Sequence, residues 1–538
     1  MKPFLLYRDH DFYPQWGMLR QSPDPDRWRE RDFDQQWGML PPNIRMITQD
    51  LELDLLITAM AQGDRLLFEV AKNVVLSGVA DTDTILYRQS ILRDCMKNPD
   101  IVRNMYSILG VSIEKYKKNI WWHSDKYADS VRSTSIQTLE LFLNTFLELR
   151  NMADTHADKF DSEGFRNLFA MLDHELPDDY VASIREKLEE LKIPHGACIS
   201  AELGKGNKGT GYALQRYQKI KEPSWLSRIF SKDPPSHYSF TIADRDISGF
   251  QALGEMKGRS MNRIADILFR SSDHILNFFT ALKTELAFYL GCLNLIEQLN
   301  QIGEPVCFPV PCDHGKRALS FEGLYDVCLA LKMEHRVIGN NANAESKDLV
   351  IITGANRGGK STLLRSLGLA QLMMQSGLFV PAGSFRSNVC DGLFTHFKRE
   401  EDHTMRSGKL DEELGRMSGI VDHLKPDSMV LFNESFAATN EREGSEISRQ
   451  IVCALLERRI KVIFVTHLYE FSRGLYENKR ENALFLRAER KPDGERTFRV
   501  TEGEPLQTSY GEDLYNRIFL GAPLITVPKT PLDTPKPF

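Results

Sequence analysis

Nine consecutive residues constrain this chain more than any others: Gly354-Ala355-Asn356-Arg357-Gly358-Gly359-Lys360-Ser361-Thr362. An apolar run, Leu349 to Thr353, leads into them, and a helix-like run from Leu363 to Gln375 follows. A strand, a GxxxxGK[ST] loop and a helix in this order form a phosphate cradle. The glycines let backbone N–H groups turn inward, and the helix N-terminus adds its positive end. In such a loop Lys360 reaches the β- and γ-phosphates, and the Ser361 hydroxyl ligates Mg²⁺. The expected nucleotide contacts are therefore Gly354, Ala355, Asn356, Arg357, Gly358, Gly359, Lys360, Ser361 and Thr362, with ATP and Mg²⁺ as cofactors.

Two further segments extend this reading. Met429-Val430-Leu431-Phe432-Asn433-Glu434 is an apolar strand ending in a polar pair, and Lys461 to Val465 is a second one, closed by Thr466-His467. Parallel strands separated by helices predict an α/β sheet whose ligands sit at the C-terminal strand ends. Glu434 then stands where a base orients the attacking water, with Asn433 beside the metal and His467 placed to sense the γ-phosphate. The expected catalytic set is Glu434, His467 and Lys360; the expected metal side is Ser361, Asn433 and Glu434. The alternative for His467 alone is a packing role at the end of a buried strand.

At 538 residues the chain is too long for one core, and two to four domains are expected. Its 42% hydrophobic and 26% charged residues are those of an ordinary globular protein. No apolar stretch approaches the length of a membrane span, and the first residues carry no secretory signal, so no membrane partner and a cytoplasmic location are expected. The eight cysteines are scattered without a CxxC pair, which leaves Cys307, Cys312 and His314 as a weak zinc alternative and reduced thiols as the expectation. A net charge of −6 argues against general coating of nucleic acid and confines any DNA contact to a local basic patch.

Residues 1–45 form an extended arm with a short duplication, Asp11 to Leu19 recurring as Asp32 to Leu40. Residues 46–300 read as an all-helical core that ends in a proline-free rod from about Met256 to Asn300, roughly 60 Å long at about 1.5 Å per residue. Glycines and prolines at about 195–250 interrupt the helical pattern with β-prone pieces, which predicts a small mixed insertion. Residues 301–520 form the α/β domain, and 521–538 a disordered Pro-rich tail.

The segment TGANRGGKST resembles the TGPNMGGKST phosphate loop of MutS proteins, a branch of the ABC-type ATPases. Gly377-Leu378-Phe379-Val380-Pro381-Ala382, the Asp402–Leu414 stretch with its Ser-Gly pair, Thr466-His467 and Ser509-Tyr510-Gly511 are similar to further motifs of that family. The likeness is closest over 349–520. It extends to 46–300 through Gly63-Asp64-Arg65-Leu66-Leu67, Arg88-Gln89 and Ile91-Leu92-Arg93. It implies a homodimer with ATP sandwiched between heads, in which Ser407 and Gly408 cap the partner's nucleotide. It also implies levers and clamps that close on duplex DNA under ATP control.

Several features depart from the family pattern. Asn433 replaces an aspartate, which weakens the attraction for Mg²⁺ and predicts slow hydrolysis. Arg357 replaces a neutral loop residue and either adds charge near the phosphates or points to solvent. The short N-terminal region suggests a paralogue without the mismatch-reading domain. The wedge-like Phe146-Leu147-Glu148 lies mid-helix, where packing explains it better. For DNA, the clamp-like insertion offers Lys205, Lys208, Arg216, Lys219, Lys221, Arg228 and Lys232 among aromatic residues; the alternative is a solvated loop. The function expected is a DNA-binding ATPase that clamps on mismatched, branched or distorted DNA. The competing reading is a nucleotide-gated interaction protein whose lever acts on a protein partner.

Overall fold

The computed structural model describes residues 2–6, 8, 43–122, 128–192, 198–203, 209–215, 247–399, 408–478, 480–491 and 495–507. The duplicated arm, Ser407, the Ser-Tyr-Gly triplet, the Pro-rich tail and all seven basic DNA candidates (Lys205, Lys208, Arg216, Lys219, Lys221, Arg228 and Lys232) lie outside these residues. The described residues divide into two compact units. One joins the first few residues to Asp94–Ala287, and the other joins residues 43–93 to everything from Phe288 onward.

The helical part runs through α1 (Ile44–Asp50), α2 (Leu53–Ala61), α3 (Arg65–Ser77), α4 (Thr82–Lys97), α5 (Pro99–Trp122), α6 (Ala128–His156), α7 (Glu163–Glu175) and α8 (Asp178–Leu191). A hairpin of β1 (Cys198–Leu203) and β2 (Gly209–Gln215) follows, then α9 (Ile247–Ile302). Two of the boundaries have a plain local cause. Asp64 caps α3 by accepting from Leu66 N at 2.7 Å and Leu67 N at 3.2 Å, so an alanine there would cost about 1 kcal/mol. The helical pattern around 84–109 looks continuous in sequence but breaks at Asn98. Pro99 has no N–H to continue α4, and its ring excludes helical geometry just upstream. Helix α9 is 56 residues, longer than the run read from sequence, and spans about 84 Å at 1.5 Å per residue.

Aromatic packing holds the unit around Asp94–Ala287. Phe142 meets Phe279 edge-on at 5.2 Å, and Phe146 packs on Phe279 at 4.6 Å. Phe146 is buried, so the Phe-x-Glu match is core packing. The Thr145 hydroxyl donates to the Ser112 hydroxyl at 2.9 Å inside this core, which satisfies both groups where water cannot.

The second unit contains a four-stranded and a six-stranded sheet. In chain order its elements are β3 (Val310–Cys312), β4 (Leu319–Leu324), α10 (Val327–Met333), β5 (Asn340–Asn343), β6 (Leu349–Gly354), α11 (Lys360–Ser376), β7 (Ser384–Asn388), β8 (Leu393–Phe397), α12 (Lys409–Val421), β9 (Met429–Asn433), α13 (Glu441–Glu457), β10 (Lys461–Val465), α14 (Tyr469–Glu477), β11 (Ala483–Arg490) and β12 (Arg496–Glu502). The smaller sheet has the order β3-β7-β4-β5, the larger β12-β11-β6-β10-β9-β8. In the larger sheet every pair is parallel except β11–β12. The central strands β6 and β10 are buried at every residue, as parallel strands covered on both faces must be, and so is the edge strand β8. Residues 43–93 pack into this unit. Asn43 Nδ2 donates to Leu393 O at 2.8 Å, and Arg365 of α11 bridges Glu52 and the fully buried Asp326. No helix among the described residues is long and apolar enough to cross a membrane.

Candidate active site

Strand β6 ends at Gly354, whose φ of +106° only glycine adopts without strain. A Cβ there would stand 2.8 Å from the Ala488 backbone nitrogen on β11, so the loop can lie against the sheet only because that atom is absent. Gly359 closes the loop at φ +86° and forms the N-cap of α11. Between them Arg357 also has a left-handed backbone and is exposed. Arg496 Nε of β12 donates to the Asn356 carbonyl at 3.2 Å, while Phe498 packs over Gly359.

The Lys360 ammonium is buried inside the loop, donating to the Gly354 and Ala355 carbonyls at 3.1 and 3.0 Å. Burial pushes its pKa down to about 8, against the attraction of Glu434 and helped by repulsion from Arg496. The next residue, Ser361, donates its hydroxyl to Asn433 Oδ1 at 2.8 Å. Two hard oxygen donors thus stand side by side, one at the start of α11 and one at the end of β9. That donor set suits Mg²⁺, which takes oxygen ligands and keeps several waters.

Glu434 follows β9 and His467 follows β10, adjacent parallel strands in register at Asn433 and Val465. Their side chains meet, with His467 Nε2 3.0 Å from Glu434 Oε1. The hydrogen bond to His467 holds the Glu434 carboxyl below the usual carboxylate range despite its partial burial, and the charges of His467 and Lys360 add to this. Glu434 has φ 53° and Phe436 φ 60°. Left-handed backbone costs a residue with a Cβ about 1–2 kcal/mol, so this turn is held by its surroundings.

A cavity of about 660 Å³ opens on the Ser361–Asn433 side. Its walls are Gln49, Asp50 and Glu52 around the α1–α2 junction, Thr362 and Arg365 of α11, Phe397 at the end of β8, and Lys398 and Arg399 after it. A second cavity, about 480 Å³, is lined by Tyr325, Arg336, Asn340 and Arg499 among others. Strand β12 reaches both the loop and this second cavity, because Asn340 Nδ2 donates to the carbonyl of Phe498 at 3.2 Å.

Lys360, Ser361, Asn433, Glu434 and His467 are therefore gathered around one loop, with Gly354 to Thr362 forming the loop itself. Gly408 is the N-cap of α12 and accepts from Glu412 N at 3.1 Å; Ser407 lies outside the described residues. Sequence reasoning missed Arg365, Arg399, Arg496 and Phe498. No motif marks them: Arg365 lies further along α11, Arg399 follows β8, and Arg496 and Phe498 reach the loop from β12.

Comparison with known proteins finds relatives over both parts of the chain. The model of the MutS2 N-terminal domain matches residues 80–302, and that of MutS domain V matches residues 350–529. The DNA mismatch repair protein MutS of Leptospira interrogans serogroup Icterohaemorrhagiae serovar Lai (strain 56601) is 30% identical over 331 residues, 59% of this chain and 38% of that protein. Its namesake in Microcystis aeruginosa (strain NIES-843 / IAM M-2473) is 34% identical over 138 residues, 25% of this chain and 15% of that protein. A third, from Clostridium beijerinckii (strain ATCC 51743 / NCIMB 8052), is 28% identical over 202 residues, 35% and 22% of the two chains. The chain spans well under two thirds of the length of each. With one model matched to the helices and the other to the glycine loop and its sheet, the chain belongs to the MutS family.

Proposed function

We propose that this protein is a slow ATPase that binds mismatched, branched or otherwise distorted DNA and uses ATP to change its grip. The observation that carries the reading is the Glu434–His467 pair at adjacent strand ends beside Lys360 and the Ser361–Asn433 pair. In this reading the loop amides and Lys360 hold the β- and γ-phosphates, and Ser361 and Asn433 hold Mg²⁺, which supplies charge neutralisation when bound. Glu434 orients the attacking water and accepts its proton, and His467 keeps that carboxylate ionised and aimed. The nucleoside end runs along β12 toward the cavity at Arg336 and Arg499.

The helical unit and α9 act as core and lever, with clamps carrying the basic residues from Lys205 to Lys232. Two copies close head to head over ATP, with Ser407 and Gly408 facing the partner's nucleotide. The relatives named for DNA mismatch repair support the choice of DNA over other partners.

The test is a titration of purified protein against homoduplex, mismatched and branched DNA, with and without ATP, at two salt concentrations. Binding that prefers a distorted duplex, weakens with salt and responds to ATP is expected. Absence of binding to every duplex would remove DNA from the account and leave a protein partner for the lever.

A further inference from the structure

The turn that carries Glu434 is disfavoured by its own residues, since Glu434 and Phe436 both adopt left-handed backbone without being glycine. Four contacts from neighbouring elements hold it. The Glu434 N–H donates to Val465 O at 2.9 Å. The Phe436 carbonyl packs on Gly444 of α13, where a Cβ would stand 2.5 Å from the oxygen. The Ser435 hydroxyl sits 2.7 Å from His396 Nδ1 and 2.6 Å from the His396 carbonyl. The Phe436 N–H donates to Glu413 Oε2 at 2.8 Å.

Glu413 on α12 and His396 on β8 are both buried. The His396 ring stacks on Phe436, with centroids 5.1 Å apart and planes within 18°. Its Nε2 lies 3.0 Å from the Glu413 carbonyl, so the two residues brace each other as well as the turn. A leucine at 413 would fill similar space without the cost of burying a carboxyl. What the carboxyl adds is an acceptor for the Phe436 amide.

We infer that Glu413 and His396 are positioning residues for Glu434: the Glu413 bond to the Phe436 N–H and the His396–Ser435 contact fix the left-handed turn that aims the Glu434 carboxylate. The inference rests on the reading of Glu434 as the base that orients water. Neither Glu413 nor His396 touches nucleotide in this role; each acts through the backbone of residues 435–436.

Steady-state ATP turnover and binding of a fluorescent ATP analogue, measured on the full chain, test it. Glu413→Ala should lose about tenfold or more in kcat while analogue affinity stays within about twofold. Glu413→Gln, whose amide oxygen still accepts the Phe436 N–H, should restore most of the rate. The double variant Glu413→Ala/Glu434→Gln should be no slower than Glu434→Gln alone, because both changes act on one group. Full turnover by Glu413→Ala, failure of glutamine to rescue, or additive losses in the double variant would each overturn the positioning role. Should Glu413→Ala fail to fold, Ser435→Ala carries the test: a lowered kcat at unchanged affinity supports the role, and wild-type kcat contradicts it. A Glu434→Gln protein that hydrolyses at the wild-type rate would remove the base itself, and the positioning role with it. An inactive Glu434→Gln beside a fully active Glu413→Ala would remove the positioning role only.

Discussion

The Ser361 hydroxyl donates a 2.8 Å hydrogen bond to the side-chain oxygen of Asn433, 72 residues away in sequence. In the proposed function this pair holds Mg²⁺, and its β9 member is a neutral amide rather than a carboxylate. Near a protein surface, a unit charge pair at 4 Å attracts by about 4 kcal/mol. Water around the ion offsets part of that attraction, so Asn433→Asp should tighten Mg²⁺ dependence by about tenfold or more and raise turnover. A metal titration of ATPase rate reads both, and two unchanged parameters would show that the amide has no bearing on the ion.

Lys360 gives a pH signature. Its folded pKa is pushed down to about 8 by burial, so below that pH the side chain is already charged and ready for phosphate. Above it, binding a polyanion requires proton uptake, and affinity should fall by up to about tenfold per pH unit. Calorimetry of nucleotide binding at pH 8.5 in buffers of different ionisation enthalpy should show net proton uptake. Lys360→Met should bind far more weakly and show no such uptake.

Arg365 ties Asp326, whose side chain is fully buried, to Glu52 at the start of the chain's helical region. Arg365→Met would leave the Asp326 carboxylate buried without its partner, a change that costs about 3–5 kcal/mol. The urea midpoint should drop accordingly, and Asp326→Asn in the Arg365→Met background should recover part of the loss.

The basic insertion is tested by charge removal. Lys205→Ala with Lys208→Ala should weaken DNA binding equally for all duplex sequences and lower the slope of log affinity against log salt by about 1 per lysine. A loop that is merely solvated would leave both affinity and slope unchanged.

What the sequence made legible was local. The β6–loop–α11 passage could be read because its glycines, lysine and flanking apolar runs lie within 28 residues, Leu349 to Ser376. The ends of β9 and β10 could be read because each apolar run stops at a polar pair. The bracing of the site could not. Glu413 meets Phe436 across 23 residues, Arg496 meets Asn356 across 140, and Arg365 meets Glu52 across 313. Such contacts depend on strand order, which places β11 beside β6 and β12 at the sheet edge. No periodicity in the chain announces that order. The break at Asn98 was hidden for a different reason: the apolar spacing runs on through it, and only Pro99 marks the stop.

In the proposed chemistry Glu434 is the residue on which hydrolysis most directly depends. ATP turnover by Glu434→Gln, measured beside its affinity for a fluorescent ATP analogue, separates chemistry from binding. A fall of about 100-fold or more in kcat with affinity kept within about threefold is the predicted result. Turnover at the wild-type rate would contradict the assignment of the Glu434–His467 pair as the hydrolytic centre.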